Sequence, residues 1–203
     1  MATDVDKLEV INAAMVLIGD DPIESIEYAE GEDAIAAVVV ANALYETVVQ
    51  SALSTARWRF ATNIDLLNEI AEELNTTNYT SAFAIPPDAI SIHSVQNARR
   101  ENVDFDRINE WVVTDEPVGT ALYMTYGYRA DERDWTPRFR LYLIHLLAHH
   151  FAISLSENAS LAEVLGKNAE TLRARAVALD AQERTTRKID TGSFIRARRN
   201  WRR

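Results

Sequence analysis

Three constellations in this chain have the residue types that catalysis or binding uses. The first is His145-Leu146-Leu147-Ala148-His149, two imidazoles four residues apart. On a helix that spacing puts both rings on one face, as in the zinc-dependent hydrolases. Those sites need a Glu directly after the first His as general base. Here that position is Leu146, and no third His ligand stands out downstream. The imidazoles read instead as groups that border the core or cap polar loops. The second constellation, Asp190-Thr191-Gly192-Ser193, contains the tripeptide that carries the carboxylate of aspartic proteases. That chemistry brings two such carboxylates together between the strands of a β-domain. Here the tripeptide lies in a basic segment with ten residues after it, and it reads as a turn in which Gly192 supplies flexibility. The third is a C-terminal segment in which Phe194, Ile195 and Trp201 interleave with Arg196, Arg198, Arg199, Arg202 and Arg203. Arg and large aromatics are the residues that anchor interfaces, and Arg clamps carboxylates or phosphates bidentately. A tail that only kept the protein soluble would need no Phe or Trp. It is read as an arm that docks onto a partner.

Other chemistry is not marked. The 31 acidic residues leave room for a glycosidase-like carboxylate pair, but no spacing singles out two that face each other. There is no Gly-rich phosphate loop and no Gly-x-Ser-x-Gly elbow. The run Asp20, Asp21, Glu24, Glu27, Glu30 and Glu32 lacks the Asp-x-Asp-x-Asp-Gly pattern of a calcium loop and reads as a solvated link. No catalytic, cofactor-binding or metal-binding residue is assigned, and no cofactor is implied. With no Cys among 203 residues there is no disulfide framework and no thiolate metal site. The first six residues show no basic region followed by an apolar run, so no signal peptide is expected.

Charge is distributed unevenly. Residues 187–203 hold seven Lys/Arg and one Asp, a local +6, which leaves −16 for residues 1–186 of a total of −10. An acidic body repels nucleic acid, whereas a basic tail suits an acidic partner, protein or polynucleotide.

The elements that position these groups follow from the apolar periodicities. Residues 138–155 form a run with no Gly or Pro that is apolar nearly all round. It is expected to be a helix covered by protein on most sides rather than a membrane span, since three His interrupt it and charged segments flank it. Leu8, Ile11, Met15 and Ile18 make one helical stripe, capped by Asp4 and ended by Gly19. A second helix is expected from Asp33 to Ala56, with Ile35, Val38, Asn42, Tyr45, Val49 and Ala52 on its apolar face, widened by Val39 and Leu53. A fourth is expected from Leu161 to Arg184, with Leu161, Val164, Leu165, Ala169, Leu172, Ala176 and Leu179 facing inward. Between them the period becomes two. Phe60 to Leu67, Phe83 to Ile85, Ala89 to Val95, the hairpin Phe105 to Thr114 around Asn109-Glu110, and Ala121 to Arg129 read as strands of an antiparallel meander. The expected fold class is α+β: a helical bundle (1–58 and 136–186), an inserted antiparallel sheet of about four strands (59–135) and an extended basic arm (187–203).

The order of short motifs resembles one family. Leu8-Glu9-Val10-Ile11-Asn12-Ala13-Ala14 with Leu17-Ile18-Gly19 and Pro22-Ile23 is similar to its first helix and the link that follows. Trp58-Arg59-Phe60-Ala61-Thr62 looks like its Trp-x-Phe-Ala segment. Ile85-Pro86-Pro87-Asp88-Ala89-Ile90 is similar to its Leu-Pro-x-Asp segment. Val113-Thr114-Asp115 and Leu122-Tyr123-Met124-Thr125-Tyr126 look like its closing hairpin. In this order the motifs resemble the head-to-tail adaptors of tailed phages, the tail tubular protein A type of short-tailed phages. The resemblance covers the chain to about Leu179 and leaves the arm unmatched. It implies a structural virion protein with no catalytic residues, assembled in the host cytoplasm. Such a subunit joins a ring, usually of twelve, between the portal protein and the distal tail protein, and DNA leaves through the lumen without sequence-specific contact. No membrane partner is implied. The loops at Asn75–Asn78 and Asp115–Gly119 are candidate contacts to the next tail protein. Two other functions are carried alongside: a virion-associated hydrolase of cell-wall glycans using a carboxylate pair, and a nucleic-acid binder acting through the arm.

Overall fold

A computed structural model describes residues 2–27, 36–70 and 79–182. The helices are α1 (Ala2–Ile18), α2 (Ala36–Ser54), α3 (Pro137–Ser154) and α4 (Ala159–Gln182). The strands are β1 (Thr62–Leu66), β2 (Asn68–Glu69), β3 (Ser81–Ala84), β4 (Ala89–Asn97), β5 (Asp106–Ile108), β6 (Trp111–Thr114) and β7 (Leu122–Tyr128). All strand pairing is antiparallel, and the chain is α+β as its periodicities imply.

Local chemistry sets the helix ends. α1 begins at Ala2, so Asp4 lies inside it rather than capping it. It ends where Gly19 takes φ +81° and the Asp20 amide reaches back to the Met15 carbonyl, a left-handed cap. α3 starts at Thr136, whose hydroxyl accepts from the Phe139 amide at 3.3 Å, with Pro137 in the first turn. Asn158 caps α4 by accepting from the Leu161 amide.

α3 is the axis of the helical half, with α1, α2 and α4 packed around it. Phe139, Tyr142, Leu143, Leu147, Ala148, Phe151 and Ala152 are buried in it, while Leu141 and Ile153 reach solvent. α1 runs alongside α3 in the same direction, fastened by Arg133 to Asp6 and Arg140 to Glu9. α4 returns antiparallel, with its last turn beside Arg59, whose amide donates to Asp180. Three expected inward residues point out instead: Asn42 is exposed, Val39 is 45% and Val164 is 55% exposed. Each lies one position off the stripe that the packed neighbours select, and Ala162 and Asp180 are buried on α4 in their place. α2 is long and apolar enough by composition to cross a bilayer, but Val38, Tyr45, Val49 and Ala52 on it are buried against protein.

The strands do not form the expected four-stranded meander. They form two sheets, ordered β1-β7-β4 and β2-β3-β6-β5. Leu67, buried between β1 and β2, is the corner where the chain changes sheet. The sheets share a second core, to which Phe83 and Val112 contribute from one side and Val95, Leu122, Met124 and Tyr126 from the other. β7 is the last strand in sequence but the central one of its sheet, paired along one edge with β1 and along the other with β4. Register shifts in β4 send Ile90 to the helical core and Ile92 to the sheet core.

Candidate functional site

The arm residues Phe194, Ile195, Arg196, Arg198, Arg199, Trp201, Arg202 and Arg203 lie outside the described residues. So do Asp190-Thr191-Gly192-Ser193, the Asn75–Asn78 loop, and Glu30 and Glu32. The Asp115–Gly119 turn is described. It presents Val118, 69% exposed, and Gly119 takes φ +83°, its amide held by Glu69 at 2.9 Å.

The three imidazoles of α3 have local partners. His145 contacts the Leu141 carbonyl through Nδ1. His149 Nδ1 lies 2.8 Å from the Ala162 carbonyl, which ties α3 to α4 where Gly166 lets the ring approach. His150 packs edge-on against His149, and burial, with His149 beside it, holds its pKa below the ordinary value. Among the described residues no cluster of three His, Cys, Asp or Glu forms.

Two carboxylates converge on one hydroxyl. The Tyr126 hydroxyl lies 2.6 Å from Asp65 Oδ2 and 3.3 Å from Asp88 Oδ1, and it accepts from Asn63 Nδ2. Burial, reinforced by the hydrogen bond to Asp65, pushes this phenol far above its usual pKa. The hydroxyl occupies the space between the two acids. A cavity of about 370 Å³ beside it is lined by Asp65, Pro86 and Pro87 but not by Asp88. The cluster fastens β1 to β7 and to the turn before β4.

A polar clamp joins the two halves. Glu132, 5% exposed, accepts from Tyr45 Oη at 2.9 Å and from Arg129 Nη2 at 2.6 Å, while Arg129 also bonds Glu46. Burial, then the Glu132 charge, drive the Tyr45 phenol well above its usual pKa. Beside the clamp, Trp58 and Trp135 pack against Phe139, the aromatic hinge between bundle and sheet.

A further candidate surface is the outer face of the β1-β7-β4 sheet. A cavity of about 700 Å³ lies over it, rimmed by Arg57 and Arg100 and floored by Ser94, Gln96, Tyr123 and Thr125. Among the described residues no carboxylate lines it. Arg100 is held at φ +63° by a tight turn in which Asn97 Oδ1 accepts from the amides of Arg99 and Glu101. Ile64 (60%) and Leu66 (54%) point outward on β1, where their alternation with Asp65 correctly gave a strand but not its buried side. At the inner end of this face Ser91 Oγ and His93 Nε2 are buried without a hydrogen-bond partner among the described residues, against Gly127. Burial, with the Arg57 charge nearby, keeps the His93 pKa below the ordinary value. No motif marks this face in the sequence, because its polar residues alternate with buried ones. The available signal was Arg57 and Arg100, two cations in a body (residues 1–186) that carries −16.

No family model matches this chain, and no curated protein sequence matches it.

Proposed function

We propose that the chain is a structural subunit of a phage head-to-tail adaptor ring, seated between the portal and the distal tail protein. The observation that carries the reading is the order of its motifs. The first helix ends at Gly19, Trp58-Arg59-Phe60-Ala61-Thr62 leads from helix into strand, Pro86-Pro87 separates two strands, and two long helices follow Pro137. The charge distribution supports it. An acidic body lining a ring would give a lumen that DNA traverses without sticking. The arm, with Arg and aromatic anchors, would reach the portal, and repetition around the ring would multiply a weak contact. The test is deletion of residues 187–203 followed by a portal-binding assay. The reading expects the truncated protein to fold and lose binding; undiminished binding removes the arm from the account.

The Asp65–Tyr126–Asp88 cluster is the one observation that favours a glycan hydrolase, since the two acids approach one hydroxyl. Turbidity and reducing-sugar assays on the purified protein and on Asp65→Asn decide it. Activity lost in the variant would favour the hydrolase over the adaptor.

A further inference from the structure

Two exposed patches of the subunit are complementary in both charge and apolarity. One is the outer sheet face, where Ile64, Leu66 and Tyr123 are exposed between Arg57 and Arg100. The other is the C-terminal end of α1, where Val16 (59%) and Leu17 (36%) are exposed next to Asp20, Asp21 and Glu24. Among the described residues none of these five charged groups has an ion-pair partner. Apolar centres with a charged rim, containing Tyr and Arg, are the composition of interfaces.

The patches do not meet within one subunit. α1 runs parallel to α3 from the Asp6–Arg133 and Glu9–Arg140 pairs. Its last turn therefore lies about 12 Å beyond Arg140, at 1.5 Å per residue. The sheet leads into the opposite, N-terminal end of α3, where Tyr128 contacts Phe60 and Phe60 packs on Phe139. The acidic patch is thus at one end of the molecule and the basic patch at the other. A surface that complements a different surface of the same molecule makes a heterologous contact, which closes into a ring when the rotation permits.

We infer that the Arg57–Arg100 sheet face of one subunit docks the α1 tip and acidic link (Val16, Leu17, Asp20, Asp21, Glu24) of a second copy. This rests on the ring reading above and names its subunit contact. Arg57 and Arg100 meet the carboxylates of the link, and Val16 and Leu17 cover Ile64, Leu66 and Tyr123.

The absence of Cys makes the test direct. Tyr123→Cys protein is mixed with Leu17→Cys protein and treated with a short bis-maleimide; Glu110→Cys, on the β5–β6 hairpin, replaces Tyr123→Cys as control. The inference expects heterodimer from the first mixture well above the control, decreasing as salt screens the pairs. Arg57→Glu/Arg100→Glu lowers self-association in sedimentation by roughly tenfold, and so does Asp20→Lys/Asp21→Lys. Mixing the two reversed proteins restores it, because each carries the complement of the other. Cross-linking no better than the control, in a wild-type protein that sediments above monomer mass, overturns this contact and leaves the ring standing. A wild type that stays monomeric at all concentrations, with and without portal, overturns the ring and this contact together.

Discussion

Glu132 is the residue whose removal the structure prices most clearly. It is 5% exposed, accepts from Tyr45 and Arg129, and links the strand-to-helix connection to α2. Deleting one partner of a buried pair costs about 3–5 kcal/mol when the other charge is stranded. Arg129 is not fully stranded, since it keeps Glu46 at 3.0 Å and is about a quarter exposed. That reduces the charge cost in Glu132→Ala to about 2 kcal/mol. The Tyr45 hydroxyl, on a residue 1% exposed, then has no acceptor, which adds about 1–2 kcal/mol. The expected total is about 3–4 kcal/mol, or roughly 10 °C in Tm for a chain of this size. Glu132→Gln retains an oxygen for Tyr45 and should lose about half as much. Urea unfolding followed by circular dichroism measures both. A double-mutant cycle with Tyr45→Phe should return a coupling of about 1 kcal/mol or more. If Glu132→Ala loses under 1 kcal/mol, or the two changes add, the clamp does not join the halves as described.

Other expectations follow from the same geometry. His93 and His150 both have pKa values below the ordinary one, through burial first. The unfolded chain therefore binds protons that the fold resists, so their contribution to stability is present above about pH 6.5 and is lost as pH falls through their folded values. Urea midpoints should decline below that pH, and His93→Gln/His150→Gln should flatten the decline. Ser91→Ala removes a buried hydroxyl that has no partner among the described residues, so it should be neutral or raise stability by up to about 1 kcal/mol in thermal melts. Gly127→Val would press a side chain into Ser91 Oγ, which a Cβ at Gly127 would already approach to 2.6 Å; overpacking should cost about 1–3 kcal/mol in the same melts.

The helices were legible because their stripes are long, and Gly19 ends α1 as its type suggests, although Asp4 lies inside α1 instead of capping it. The sheet was legible as strands but not as an assembly. Alternation in Thr62–Leu66 gives a period of two, not which side is covered, and Ile64 and Leu66 face out because β7 and the second sheet fill the other side. The register shifts in β4 separate Ile90 from Ile92, which unbroken alternation would place together. In sequence Glu132 sits among Asp131, Arg133 and Asp134, with no apolar period to mark it as buried. Its burial depends on Tyr45, 87 residues away, and on Arg129, a pairing no local pattern encodes. The Arg57–Arg100 face was hidden for the same reason, since its two cations are 43 residues apart in sequence and share one rim only through β1-β7-β4 pairing.

The central claim is a structural role at the neck of a virion. Electron microscopy of purified protein mixed with tailed-phage particles that lack it tests that claim most directly. The account predicts a collar of subunits beneath the portal, absent when residues 187–203 are deleted. Bare portals after incubation with the full chain would contradict it.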